Sequence, residues 1–147
     1  MGESNIVKMI ADYVENHLDD DLHLDKIAEE LHYSKYYLAR VFAEKTGRTI
    51  YKYIQGRRLT LAAQALVETE KPIIEIACEA HYGSQQAFTL AFEQLYLCTP
   101  QVYRKRGIFY PAQSGIVMAS TQIYSVCSES LRTGYTFENR IWGGAAA

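Results

Sequence analysis

The 147-residue chain is 48% apolar, enough to bury one good core or two small ones, and its composition is neither disordered nor fibrous. Three cysteines, Cys78, Cys98 and Cys127, are odd in number and widely spaced, which argues against a disulfide framework and a zinc module; they are expected to be reduced. The net charge of −2 would count against a nucleic-acid partner if it were spread evenly, and it is not. Residues 1–32 set Lys8 and Lys26 against nine acids, a balance of −7, whereas residues 33–60 set seven bases against Glu44 alone, a balance of +6. Such polarity suits a protein that offers one side to a polyanion. The N-terminus has no basic stretch leading into an apolar one, and no run approaches the roughly 18 to 20 apolar residues of a membrane span. A cytoplasmic protein with no membrane partner is expected.

Ile6, Met9, Ile10, Tyr13, Val14 and Leu18 recur at helical spacing and predict a first helix over 5–18, ended by Asp19, Asp20 and Asp21. Leu24, Ile27, Ala28 and Leu31 mark a short second helix. His32 and Tyr33 then turn the chain into a third helix, which has Ser34 as N-cap and closes near Gly47. A long helix is expected over 50–69, with Tyr53, Ile54, Leu61, Ala65 and Leu66 inside. Pro72 restarts the chain and a helix runs from Ile73 to Ala80. His81-Tyr82-Gly83 makes a turn, and Ser84 caps a helix reaching Tyr96. Thr99 as cap and Pro100 in the first turn start a last short helix through Tyr103 and Arg104. The expected class is all-α: two helix-turn-helix subdomains joined by a long linker helix.

Within that series the chain nearly repeats itself. IAEELHYSKYYLARVF at 27–42 returns as IACEAHYGSQQAFTLAF at 76–92, with one Gly inserted. Leu38, Val41 and Phe42 in the first copy, and Phe88, Ala91, Phe92 and Leu95 in the second, share an inward stripe. The outward stripes differ: Tyr36, Ala39 and Arg40 against Gln85, Gln86, Thr89 and Leu90. A common scaffold with unlike outer faces is what two recognition helices need to read different base pairs, since Arg bonds bidentately to guanine and Gln to adenine in the major groove. A connecting helix of about 20 residues spans roughly 30 Å, close to the ~34 Å turn of B-DNA, so one chain could reach two successive major grooves.

From Ile6 to Arg106 the chain resembles the DNA-binding domain of the AraC/XylS family of bacterial transcription regulators, especially its small stress and multidrug-resistance members. The matching stretches are IAEELHYSKYYLARVFAEKTG, YIQGRRLTLAAQAL, PIIEIACEAHYGSQQAFTLAF and TPQVYRKR. The resemblance implies promoter binding and contact with RNA polymerase. It places Tyr36 and Arg40 in the first groove and Gln85, Gln86 and Thr89 in the second. Close relatives usually carry Gln where Ala39 stands and often Arg where Leu90 stands, so the operator cannot be borrowed; Leu90 could meet a thymine methyl instead. His32 and His81 occupy turn positions where relatives often carry Gly, and His tolerates left-handed backbone better than most residues. Leu97 stands where many members have Gly, which predicts a differently shaped helix end.

Phosphate contacts are expected from Lys35, Arg48 and Lys52 and from the amide-rich helix starts at Ser34, Tyr37 and Ser84. Arg57 and Arg58 point either to phosphate or to a carboxylate at the core edge. Cys78 and His81 are three apart, as metal ligands on a helix can be, but no second pair stands nearby and a buried cysteine is the expectation. Asp19-Asp20-Asp21 lacks the alternating ligands and Gly of a calcium loop. No catalytic constellation has local support, so no enzyme, cofactor or metal is expected.

The domains read as 1–110 for DNA binding, divided into 5–49, 50–69 and 72–106, and a tail over 111–147. In the tail GIVMASTQIYSVCSES suggests one or two strands, Gly134 a turn and TFENRIW another strand, while GGAAA has the look of a cloning scar or truncated end. The tail is expected to be a remnant or fragment of an effector or dimerisation domain, either disordered or paired with another chain through exposed strand edges, with sensing of a small molecule as a further alternative. Double-stranded DNA bound by a monomer is the main expectation. The competing one is a helical module that binds another protein through its basic stripe and tyrosines.

Overall fold

The structure is a computed structural model describing residues 2–113 in full and the backbone of 116–119 and 122–125. Seven helices follow one another: α1 (Glu3–Asn16), α2 (Leu24–Leu31), α3 (Lys35–Thr46), α4 (Ile50–Glu68), α5 (Ile73–Glu79), α6 (Gln85–Tyr96) and α7 (Pro100–Arg106). Two short strands, β1 (Ile116–Ala119) and β2 (Gln122–Ser125), come after them and pair antiparallel, with Ile116 opposite Ser125 and Ala119 opposite Gln122. The strand expected in TFENRIW, the turn at Gly134, Cys127 and the GGAAA end lie outside the described residues. Among the described residues no helix is long and apolar enough to cross a membrane.

The chain divides into two compact units. The first runs through Gln55 and takes in the hairpin, while the second begins at Gly56 and is described through Gln113, so α4 contributes residues to both. In the first unit Val7, Ile10 and Val14 of α1, Ile27 of α2, and Leu38, Val41 and Phe42 of α3 are buried with Tyr53. The Phe42 and Tyr53 rings lie 5.6 Å apart, and the Tyr53 hydroxyl donates to Glu15 Oε2 at 2.9 Å. The hairpin packs β1 against α1 and β2 against α3. α1 ends at Asn16, two residues before the expected end, and the His17 ring lies with Nδ1 2.7 Å from the Tyr13 carbonyl, one of the acceptors left over at the helix terminus.

In the second unit Leu59, Ala62, Ala63 and Leu66 of α4 meet Ile76, Ala77, Phe88, Phe92, Leu95, Tyr96 and Tyr103. The spacing of 59, 62, 63 and 66 defines the inward stripe of α4. Leu61 therefore points outward and Ala65 sits at the edge, against the expectation that both are inside. Cys78 is likewise exposed rather than buried, since the α5 core face is made by Ile76, Ala77 and Ala80.

Corresponding turns in the two units are built alike. His32 (φ 60°) and His81 (φ 66°) are left-handed, and the next residue closes the turn by donating five residues back, Tyr33 to the Ala28 carbonyl at 3.1 Å and Tyr82 to Ala77 at 3.0 Å. The helix ends after α3 and α6 also agree, because Gly47 (φ 76°) and Leu97 (φ 60°) adopt the same left-handed cap. Leu97 thus keeps the shape a glycine gives and carries the strain, correcting the expectation of a different end. A left-handed conformation costs an L residue roughly 1–2 kcal/mol. Leu97 is 43% exposed, so the apolar contact it gives up offsets part of that strain. Leu97→Gly is expected to change the stability of the second unit by less than about 1 kcal/mol, where an equally exposed leucine without that strain would lose more; urea unfolding measures it.

After α7, Gly107 turns left-handed (φ 68°) and residues 108–113 run back over the second unit. The Tyr110 carbonyl accepts from the Tyr96 hydroxyl at 2.7 Å and the Tyr103 hydroxyl at 3.3 Å, and Tyr110 N donates to Tyr103 Oη at 2.7 Å. Ala112 N donates to Tyr96 Oη at 3.1 Å. Burial is the main cause that pushes the Tyr103 hydroxyl up to about 12 and holds that of Tyr96 well above its ordinary 10. Both groups keep their protons in the folded state at pH values where the unfolded chain loses them, so the folded state binds more protons above pH 10. Stability is therefore expected in full below that pH and to decline as pH rises from 10 through the folded values. Urea unfolding at a series of alkaline pH values should show a shallower decline in Tyr96→Phe.

Candidate nucleic-acid interface

α3 and α6 share one design. Ser34 Oγ accepts from Tyr37 N and Ser84 Oγ from Ala87 N, each at 3.1 Å, so both helices open on a side-chain cap. Helix geometry leaves the first-turn amides of Lys35, Tyr36, Gln85 and Gln86 without intrahelical partners, which makes each start a suitable phosphate seat. The inner stripes, Leu38, Val41 and Phe42 in one and Phe88 and Phe92 in the other, have no exposed surface. Burying those stripes turns the opposite faces outward.

On α3 the outward residues are Tyr36, 78% exposed, with Arg40 and the half-buried Ala39. Arg40 is held in place: Nη1 donates to Glu44 Oε2 at 3.0 Å, Nη2 lies 3.9 Å from Glu3 Oε1, and the guanidinium sits 5.3 Å above the Tyr37 ring. Tyr37 is half-buried against the core and stacks on Tyr33 at 5.6 Å, so its ring forms a platform beneath Arg40. Lys35 pairs with Asp25 at 2.9 Å and lies 5.7 Å from the Tyr36 ring centre. The hydrogen bond that Lys35 donates to Asp25, and then the charge of that carboxylate, hold the ammonium above its ordinary value. Lys52 is exposed at the start of α4, which Thr49 caps by accepting from Lys52 N at 3.1 Å. Arg48 is half-buried, with its backbone N donating to Thr46 Oγ1 at 3.3 Å, so its reach is more restricted than that of Lys52.

On α6, Gln85, Gln86, Thr89 and Leu90 together line a shallow open depression. Leu90 is 64% exposed. Glu93 is exposed one turn further along the helix. Arg57 Nη1 donates to the Gln113 main-chain carbonyl at 2.6 Å, a structural tie. The local sequence pattern does not give Arg40 both of its carboxylate partners. Glu44 was legible as an i,i+4 pair, but Glu3 comes from another helix. Tyr33, which stacks on Tyr37, and Tyr51, next to Lys52 in the chain, are also exposed.

Two units that each bury one side of a capped helix and present the other to solvent define a double helix-turn-helix protein. Residues 27–106 match the family described as a helix-turn-helix domain. The regulatory protein SoxS of Salmonella typhimurium is 40% identical over 106 residues, covering 72% of this chain and 99% of that protein. The right origin-binding protein of Escherichia coli K12 is 41% identical over 105 residues, 71% of this chain, and the chain spans 36% of that protein's length. Among solved structures, the C-terminal domain of AraT, a response regulator from Geobacillus stearothermophilus, is similar with a TM-score of 0.64 at 30% identity, covering 84% of this chain and 93% of that one. The chain belongs to the AraC/XylS family of helix-turn-helix proteins.

Proposed function

We propose that this chain is a sequence-specific DNA-binding transcription regulator, an activator that works in the bacterial cytoplasm and inserts α3 and α6 each into a major groove. One observation carries the reading: the same cap, turn and core framework appears twice, with chemically different residues on the two outer faces. Uniform outer faces would suit a non-specific clamp, whereas Arg40 on one and Gln85 and Gln86 on the other suit two different base patterns. Names among the relatives, regulatory protein SoxS and transcriptional regulator Rob, support the same reading. In this assignment Tyr36, Ala39, Arg40, Gln85, Gln86, Thr89 and Leu90 face bases, while Ser34, Lys35, Tyr37, Arg48, Lys52 and Ser84 hold phosphates. With two reading helices in one chain, a monomer suffices. RNA polymerase is the protein partner the reading implies.

The test is a gel-shift titration on duplexes selected from a random library. Lys35, Arg48 and Lys52 would neutralise three phosphates, so the logarithmic salt slope is expected near −2.7, about a 40-fold loss of affinity for a fourfold rise in salt. No retention of any duplex at low salt would instead favour a helical module that binds a protein partner through the exposed Tyr33, Tyr36 and Tyr51.

A further inference from the structure

Directly after residue 106, where the match to the family ends, the second unit gains a component that a helix-turn-helix does not require. The segment 108–113 is joined to three helices. Tyr96 is the last residue of α6, Tyr103 lies in α7, and Thr60 and Arg57 lie in α4. Gln113 N donates to Thr60 Oγ1 at 3.1 Å, and Thr60 Oγ1 in turn donates to the Gly56 carbonyl at 2.8 Å. Ala112 and Gln113 have no exposed surface. The Gln113 side chain fills a notch that exists because position 56 has no Cβ: one placed there would lie 2.0 Å from Gln113 Oε1. A polar side chain this deeply buried on a segment outside the helices is costly to place, so it marks a specified contact.

The ties act at a mechanically sensitive point. Tyr96 closes α6 at the end opposite Gln85 and Gln86, about eleven residues or roughly 16 Å away at 1.5 Å per residue. A swing of about 5° at the Tyr96 end would carry the glutamines by about 1.4 Å, nearly three times the ~0.5 Å tolerance of a preorganised polar contact. The Tyr96 hydroxyl bonds the strap at Tyr110 and Ala112, and the strap's far end is keyed into α4 at Gly56 and Thr60. The direction of α6 is thereby referred to α4 by directional hydrogen bonds as well as by the apolar core, in which Tyr96, Tyr103 and Ala112 also pack.

We propose that residues 109–113 form a positioning strap for the second recognition helix, with Gln113 as the key and Tyr96 as the clasp, so that base choice in the groove read by α6 depends on a segment that touches no DNA. The proposal rests on the DNA-binding reading above. The experiment uses the full chain, the variants Gln113→Ala and the milder Tyr96→Phe, and a duplex selected by the parent protein. Each base pair of the site is substituted in turn, while hydrogen exchange is followed in α5 and α6 of the free proteins. Base preference is expected to relax by about tenfold, the worth of one good bidentate contact, in the half-site read by α6, with no change in the other half or in binding to random duplex at low salt. Exchange in α6 should quicken with α5 unchanged. Unchanged preference in both variants overturns the strap, and so does an equal loss across both half-sites, which would mean general destabilisation. If the parent selects no sequence at all, the DNA reading fails by itself. Exchange then judges the strap alone, and unaltered exchange in α6 overturns it.

Discussion

Alanine at position 56 is expected to destabilise the second unit by about 1–3 kcal/mol, the usual cost of forcing extra atoms into a filled interior. Helix propensity by itself would give the opposite sign. Gly56 lies inside α4, and replacing a helix-interior glycine by alanine ordinarily gains about 1 kcal/mol. The sign reverses here because the new methyl would meet Gln113 Oε1, Cδ and Nε2 at 2.0, 2.5 and 2.9 Å. A surface glutamine would swing away, but Gln113 is fully buried and its main chain is fastened by Thr60 and Arg57. Gln113→Ala removes all three clashing atoms, so the double variant Gly56→Ala/Gln113→Ala should be more stable than the sum of the single effects predicts. Urea unfolding of the four proteins in the cycle gives the coupling directly. Gly56→Ala that stabilises the parent chain would show that the notch is not needed.

Arg40→Ala is expected to weaken binding to the selected duplex by on the order of 1–3 kcal/mol and to relax base preference at a single position, the signature of a lost bidentate contact. The resting geometry bears on the size of the effect. To reach a guanine, Arg40 must exchange Glu44 at 3.0 Å for the base, but the side chain is 51% exposed and surface pairs of this kind are worth only about 0.2–1 kcal/mol. The Tyr37 platform beneath it limits how far the guanidinium strays, so the exchange is short. Competition titrations against random duplex separate the two possible roles. An equal loss on specific and random DNA would assign Arg40 to phosphate and contradict base reading.

Much of this molecule follows from short-range chemistry. Caps at Ser34, Ser84 and Thr99 and turns at His32 and His81 depend on residues within five positions of one another, and the structure forms each of them. The outward stripes of α3 and α6 were legible for the same reason, because one apolar stripe per helix dictates the opposite face. Leu61 shows where such reasoning stops. A leucine at a plausible helical spacing was assigned to the core, yet the stripe at 59, 62, 63 and 66 won because it is the one that α5, α6 and α7 cover.

The amino-acid order alone determined the helices, the duplication, the local caps and the identity of the residues on the outward faces of α3 and α6, since these are governed by 3.6-residue periodicity and by hydrogen bonds between near neighbours. Tertiary structure alone decided that Arg40 shares a carboxylate with α1, that Arg57 serves a main-chain carbonyl, and that Gln113 closes over Gly56. Each of those pairs is separated by 37 to 57 positions in the chain. No local pattern encodes a partner that only the packing of several helices brings within bonding distance.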